Sequence, residues 1–397
     1  MQNLDSITTL AIDTSCDETS VAVVKGRTIL SSIMPSQMEY HKKFGGVVPS
    51  LAKLAHAERI DNVVNQALKK AGVSMEDIST ISVTYGPGLA IALEVGLKKA
   101  KQLAFDYKKP LMAINHMEGH LLSALALPNS KNPKIFEAKF PAIGFLISGG
   151  HTELILVEEF GKYTKIGETV DDSCGEAYDK CGRILGFGYP AGPIITKFAK
   201  ENRKNYTYRL IKDNLSVKVQ TTNKISGVTY ELPVAMVNSG NLNMSYSGLK
   251  TAFKQLVTSI SGNVLSHSQE VEGDADLTKE QIIDLCVLFE AAAIEQLKVK
   301  LRKALKQHNV KQLWLGGGVV ASARLRSELR NVANEFNVET LYPYTKKLTG
   351  DNAAMIGLAA NIKALQIGVE NITHNPSNLI YTKDFETLDR EPSLSLS

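Results

Sequence analysis

No stretch of this 397-residue chain approaches the roughly 18 consecutive apolar residues of a membrane-spanning helix, so no membrane partner is expected. Residues 1–9 have neither a cationic leader with an apolar core nor an Arg-rich amphipathic helix, so any targeting peptide is absent or already removed. Cysteine is scarce. Cys16, Cys174, Cys181 and Cys286 are scattered without a C-x-x-C pair, which argues for a reducing compartment and against a disulfide framework. A large charge excess is also missing: a net charge of +4 and a pI near 8.6 allow a polyanionic partner but fall short of a dedicated nucleic-acid module. The motifs G-x-x-x-x-G-K-[ST], G-x-G-x-x-G and H-E-x-x-H do not occur, so neither a P-loop, a dinucleotide fingerprint nor a metalloprotease signature is present.

What is present is ordinary in bulk, 44% hydrophobic and 22% charged, and long enough for two lobes with separate cores. Residues 7–13 predict a buried strand ending in the polar loop Thr14-Ser15-Cys16-Asp17-Glu18-Thr19-Ser20, followed by strands at 21–24 and to about Ile33. A helix to about Lys70, a strand at 79–84, a helix at 88–105 and a strand at 110–114 follow. The meander then recurs: strand 141–147, loop Ser148-Gly149-Gly150-His151-Thr152, strand 153–157, a turn at Gly161-Lys162 and a strand through Thr169. Two such units imply a duplicated α/β architecture. The expected division is a first lobe at 1–126, a linker at 127–140 and a second lobe at 141–351. The helix at 352–368 is a candidate to return to the first lobe, and a tail at 369–397 should be loose beyond about Pro392. Within the second lobe, about 200–245 and 261–276 read as irregular surface insertions, the latter with an acidic run at Glu270, Glu272, Asp274 and Asp276. A core helix is expected at about 278–307, a strand at 312–315 and an Arg-rich helix from about Ser322.

The chemistry concentrates at Asn115-His116-Met117-Glu118-Gly119-His120. Histidines four residues apart share one helical face, with Cβ atoms about 5–6 Å apart, a spacing that lets two imidazoles reach one divalent metal. Two ligands do not close a site, so a distant carboxylate is needed; the alternative is that both merely cap or hydrogen-bond. Asp351, after Gly350 and before a helix, is either that carboxylate or an N-cap, and periodicity leaves both open. Glycines at Ser148-Gly149-Gly150, at Gly186 to Pro193 and at Gly316-Gly317-Gly318 each follow an apolar run. Together they predict a nucleotide cleft, since glycine lets backbone N–H groups approach a phosphate. Asp172, Glu176 and Asp179 would share a face if that segment is helical.

Read together, these stretches resemble the universal tRNA N6-adenosine threonylcarbamoyltransferase family. The matching pieces are Asp13-Thr14-Ser15-Cys16-Asp17-Glu18-Thr19, Gly45-Gly46-Val47-Val48-Pro49, Gly86-Pro87-Gly88-Leu89, the His116/His120 motif, Ser148-Gly149-Gly150-His151-Thr152, and Asp171 through Lys180. Ser247-Gly248-Leu249-Lys250-Thr251, Gly317-Gly318-Val319 and Thr349-Gly350-Asp351-Asn352-Ala353 complete the set, in family order. The resemblance implies the two-lobed α/β fold of sugar kinases, Hsp70 and actin. The activity it implies is transfer of a threonylcarbamoyl group from threonylcarbamoyl-AMP to N6 of adenosine 37 in tRNAs reading codons that begin with A. His116, His120 and Asp351 would then hold one zinc or iron. Leu146, Ile147, Ser148, Gly149, Gly150, Asp179 and Gly192 would bind the adenylate, and Asp17 and Glu18 stand where the family has residues needed for activity. Ser322 replaces the family's usual adenylate-contacting Asn, and Ala191 replaces a glycine.

The Ser-Cys-Asp-Glu-Thr loop resembles the bacterial and mitochondrial branch. The long insertions favour a mitochondrial matrix member without its targeting peptide, with a bacterial cytoplasmic protein as the alternative. Expected partners are tRNA, the synthase that supplies the adenylate, and a second copy of the chain through the first lobe. Gly88, Ala92, Gly96 and Ala100 recur every four residues as a small-residue stripe, read either as the centre of that homodimer or as packing within the lobe. Basic clusters at Lys197, Lys200, Arg203 and Lys204 and at Arg324, Arg326 and Arg330 are expected to meet tRNA phosphates. The rival functions on the same fold are an ATP-dependent phosphotransferase and a chaperone-like nucleotide switch.

Overall fold

The computed structural model describes residues 7–35, 49–213, 216–262, 276–367 and 388–396; the expectations for Gly45-Gly46, for Glu270, Glu272 and Asp274, and for 369–387 lie outside these. Strands β1 (Thr8–Asp13), β2 (Ser20–Lys25) and β3 (Thr28–Ile33) form an antiparallel meander. After α1 (Pro49–Ala71), β4 (Thr80–Gly86) adds in parallel to β1. After α2 (Ala90–Asp106), β5 (Leu111–Asn115) adds to β4. Helix α3 (His116–Leu122) starts directly at the end of β5, and β6 (Leu127–Pro128) pairs with β3.

The second meander is β7 (Ala142–Ile147), β8 (Thr152–Glu159) and β9 (Lys162–Glu168). Then come α4 (Cys174–Ile184), α5 (Gly192–Asn202), β10 (Tyr206–Lys212), β11 (Val217–Asn223), β12 (Thr229–Pro233), α6 (Ser247–Ser261) and α7 (Lys279–Gln307). β13 (Gln312–Gly316), α8 (Ala323–Asn334), β14 (Glu339–Leu341) and α9 (Ala353–Ile367) follow as the last strands and helices among the described residues. The sheet orders are β5-β4-β1-β2-β3-β6 and β14-β13-β7-β8-β9. Apart from β6 the two orders correspond strand for strand, which is the duplication that the repeated meander predicted.

Side-chain alternation builds the layers. Leu10 and Ile12 of β1 pack with Ile60 and Val63 of α1 and with Leu97 and Leu103 of α2, while Ala11 packs on the other face with α9. In the second sheet Phe145 and Ile147 pack with α4, α6 and α7, while Ala142 and Leu146 join the cluster of α3 and α9. Helices α3 and α9 thus fill the layer between the sheets. Asn361 anchors α9: its side chain donates to Val24 O and Gly26 O and accepts from Thr9 Oγ1, which satisfies a fully buried amide.

Three expectations are corrected. Residues 206–233 are not irregular but form the antiparallel sheet β10-β11-β12. Val217, Val219 and Thr221 are buried alternately, a strand pattern diluted in sequence by the intervening Lys218, Gln220 and Thr222. The tail is not loose from Pro392: Glu391 N donates to Tyr85 O, Gly88 N to Pro392 O, and Asn115 Nδ2 to Ser395 O, and Leu396 packs on the central cluster. These are mostly main-chain contacts, which no side-chain pattern announces. Asp172 lies outside α4 and binds Lys180 and Lys250 at 2.6 and 2.7 Å, so the expected three-carboxylate helix face does not form.

Candidate metal centre and adenylate cleft

Asn115 starts the site. Its Oδ1 accepts from Met117 N and Glu118 N, which caps α3 immediately after β5 and puts both histidines on a seven-residue helix between the sheets. His116 Nε2 and His120 Nε2 lie 3.3 and 3.0 Å from the same oxygen, Asp351 Oδ1. The cap of α9 is Asn352, whose Oδ1 accepts from Met355 N. Asp351 therefore faces the histidines and does not serve as the cap. On its other side His116 Nδ1 is 3.0 Å from Ser15 Oγ and 3.8 Å from Asp13 Oδ1.

The charges ask for a cation. Burial alone would depress the His116 imidazole, but the carboxylates of Asp351 and Asp13 outweigh it and raise it to about 10. Asp351 is itself held well below the ordinary carboxylate range by the two histidines, against its burial. Two imidazole nitrogens and one carboxylate oxygen, all within 4.8 Å of one another, are a donor set that zinc and iron accept. The residues fit a divalent metal. Because His116 holds a proton until about pH 10, metal uptake at neutral pH must displace it. Apparent metal affinity is then expected to rise with pH by up to about tenfold per unit. Titration calorimetry in buffers of different ionisation enthalpy counts the proton; uptake without release would contradict the assignment.

The loop bearing Asp17 and Glu18 is held from beneath. Thr14 Oγ1 donates to Ala92 O and accepts from Gly96 N, and Leu89 N donates to Ser15 O. A Cβ at Gly96 would stand 2.5 Å from Thr14 Oγ1. The stripe Ala92, Gly96 and Ala100 is buried in its own lobe, so its small residues admit this loop and do not form a dimer seam. His56, fully buried on α1, holds the same loop from the side: Nε2 is 3.1 Å from Cys16 O and Nδ1 is 2.8 Å from Thr19 Oγ1. A carbonyl only accepts, so Nε2 carries a proton, and in the neutral ring Nδ1 accepts from Thr19 Oγ1. Nothing near His56 in the sequence marks this role.

The second lobe faces the metal ligands. His151 is depressed to about 4 by burial, then by His116 and His120. Tyr189 is pushed up to about 12 by burial, then by Asp17 and Asp179. Asp179 Oδ1 accepts from Ala191 N and Gly192 N at the start of α5, and burial raises its carboxyl despite these amides. Gly149 and Gly150 border open space, and Ser148 Oγ accepts from His151 N. Leu146 and Ile147 end β7, buried behind this loop. Ser322 Oγ caps α8 by accepting from Leu325 N.

The profile of the family described as tRNA N6-adenosine threonylcarbamoyltransferase matches residues 28–358. The chain belongs to this family. A Streptococcus pneumoniae (strain CGSP14) protein of that name is 42% identical over 352 residues, covering 88% of this chain and 90% of the relative. One from Enterococcus faecalis is 40% identical over 357 residues, covering 89% and 90%. Full-length HypF in its phosphate- and nucleotide-bound form superposes with a TM-score of 0.51 at 11% identity, covering 91% of this chain and 47% of HypF. That likeness carries the fold alone, the two-lobed architecture of sugar kinases, Hsp70 and actin. Both relatives are bacterial, which gives the mitochondrial expectation no support.

The second basic cluster is partly engaged within its own lobe. Arg324 Nη1 binds the buried Glu290 at 2.8 Å, Arg326 Nη1 donates to Val320 O, and Arg330 Nη2 donates to Tyr342 OH. Arg324 is thus charge-paired within the lobe, whereas Arg326 and Arg330, half-buried, are bonded there to uncharged acceptors.

Proposed function

We propose that this transferase moves the threonylcarbamoyl group of threonylcarbamoyl-AMP to N6 of adenosine 37 in tRNAs reading codons that begin with A. The observation that carries this is the convergence of His116, His120 and Asp351 beside the glycine loops of the second lobe, in a chain matched to the family over residues 28–358. The donor is a mixed anhydride, so its carbonyl carbon is already activated. The N6 amine attacks that carbon, the bond to the phosphate oxygen breaks, and AMP leaves with the electron pair. The chain's task is positioning and charge stabilisation. Leu146 to Gly150, Gly192 and Ser322 cradle the adenylate, and Asp179, with one oxygen on two amides, offers the other to the ribose. Asp17 or Glu18 orients the amine and takes its proton. His116, His120 and Asp351 would hold a zinc or iron, which when bound would supply Lewis-acid charge stabilisation.

A phosphotransferase or a chaperone-like switch would need no paired histidines at this position. Incubation with unmodified tRNA and threonylcarbamoyl-AMP, followed by nucleoside mass spectrometry, tests the assignment; absence of the modified nucleoside with metal-loaded protein would sink it. We further propose a bacterial cytoplasmic setting, a synthase supplying the adenylate, and a homodimer through the outer faces of α1 and α2. Leu54 and Phe105 there are 63% and 72% exposed. A monomer by light scattering at micromolar concentration would remove the homodimer.

A further inference from the structure

Residues 197–224 hold eight basic side chains (Lys197, Lys200, Arg203, Lys204, Arg209, Lys212, Lys218 and Lys224) against two acidic ones, Glu201 and Asp213. That is a net +6 in one short segment of a chain whose total is +4, so the rest of the chain together carries −2. Lys218 is paired with Glu231, and Arg203 lies 3.7 Å from Glu290. Among the described residues no carboxylate pairs with Lys197, Lys200, Lys204, Arg209 or Lys212, and all five are exposed.

The charge sits on a defined element. β10 is the edge of the three-stranded sheet, pairing only with β11, and every residue from Thr207 to Lys212 is exposed. Tyr208, Leu210 and Ile211 lie among the cations, 37–45% exposed. The strand is also rooted at the cleft. Arg324, two residues after the α8 cap Ser322, stacks 4.9 Å from the centre of the Tyr208 ring, and α5 leads to β10 from Gly192 beside Asp179.

We infer that the outer edge of β10, with Arg209 at its middle, Lys212 at its far end and Lys200 and Lys204 before its start, docks the sugar-phosphate backbone of the tRNA anticodon arm. This rests on the proposed tRNA substrate and adds where that substrate is gripped. An exposed cationic strand flanking the adenylate site has the charge complementarity that a phosphate backbone requires, and neutralising phosphates releases counterions. A protein partner on the same edge is the competing occupant. It would favour the apolar Leu210 and Ile211 over the cations.

The test is the full-length R209E/K212E variant, assayed beside R209K/K212R and the wild type. The reversal is expected to raise KM for tRNA at least tenfold with kcat little changed, and to leave AMP affinity unchanged. It should also make the salt dependence of tRNA binding shallower by about 1.5–2 in log–log slope. The charge-preserving variant should match the wild type. Wild-type tRNA affinity and slope in the reversal variant would overturn the inference, as would equal losses in both variants. If the wild type itself left tRNA unmodified, the proposed function would fail instead, a distinguishable outcome.

Discussion

Asp351→Ala is expected to leave a folded protein with little bound metal and at least a hundredfold lower transfer activity. The structure separates two roles that the sequence left fused. Asn352 caps α9, so removing the Asp351 carboxylate leaves the helix start intact. What is lost is the oxygen that lies 3.3 Å from His116 Nε2 and 3.0 Å from His120 Nε2. Loss of an outer-shell partner alone costs about 10–100-fold in metal affinity, so a direct ligand should cost more. Asn352→Ala is expected to do the reverse, costing about 1 kcal/mol of stability by loss of the cap while metal remains bound. Metal analysis with a thermal melt on both variants checks the pair. Full metal occupancy in Asp351→Ala would remove this carboxylate from the ligand set.

The second large effect is expected at the glycine run after β13. A Cβ at Gly316 would stand 2.3 Å from His120 O, and one at Gly317, where φ is +95°, would stand 2.4 Å from Ile147 O. Both obstacles are main-chain atoms of packed elements and cannot swing aside. Gly316→Ala should cost about 1–3 kcal/mol by overpacking and displace α3, lowering metal content as well. Gly317→Ala adds a positive-φ extended conformation that is essentially glycine's own, about 1–3 kcal/mol more. Gly318, with nothing within 4 Å of a Cβ, is the control, and Gly318→Ala should stay within about 0.5 kcal/mol of wild type. Denaturant titration orders the three; a Gly317→Ala protein as stable as Gly318→Ala would contradict the close approach.

The sequence by itself determined the elements whose cause is local. Strand alternation and the repeated meander gave the duplicated fold, and the four-residue spacing of His116 and His120 put two imidazoles on one face because a helix turn does so wherever it sits. Family motifs singled out Asp351 as a third ligand. Only the tertiary structure brought that carboxylate, 231 residues beyond His120, to 3.0 Å from its ring and gave the capping role to its neighbour. It also turned the small-residue stripe of α2 inward onto Thr14, spent Arg324 on the buried Glu290, and ordered β10 and the segment 388–396. Which face a helix presents, and which charge finds a partner, depends on what packs against it. Residues distant in the chain supply that contact, and no local period records it.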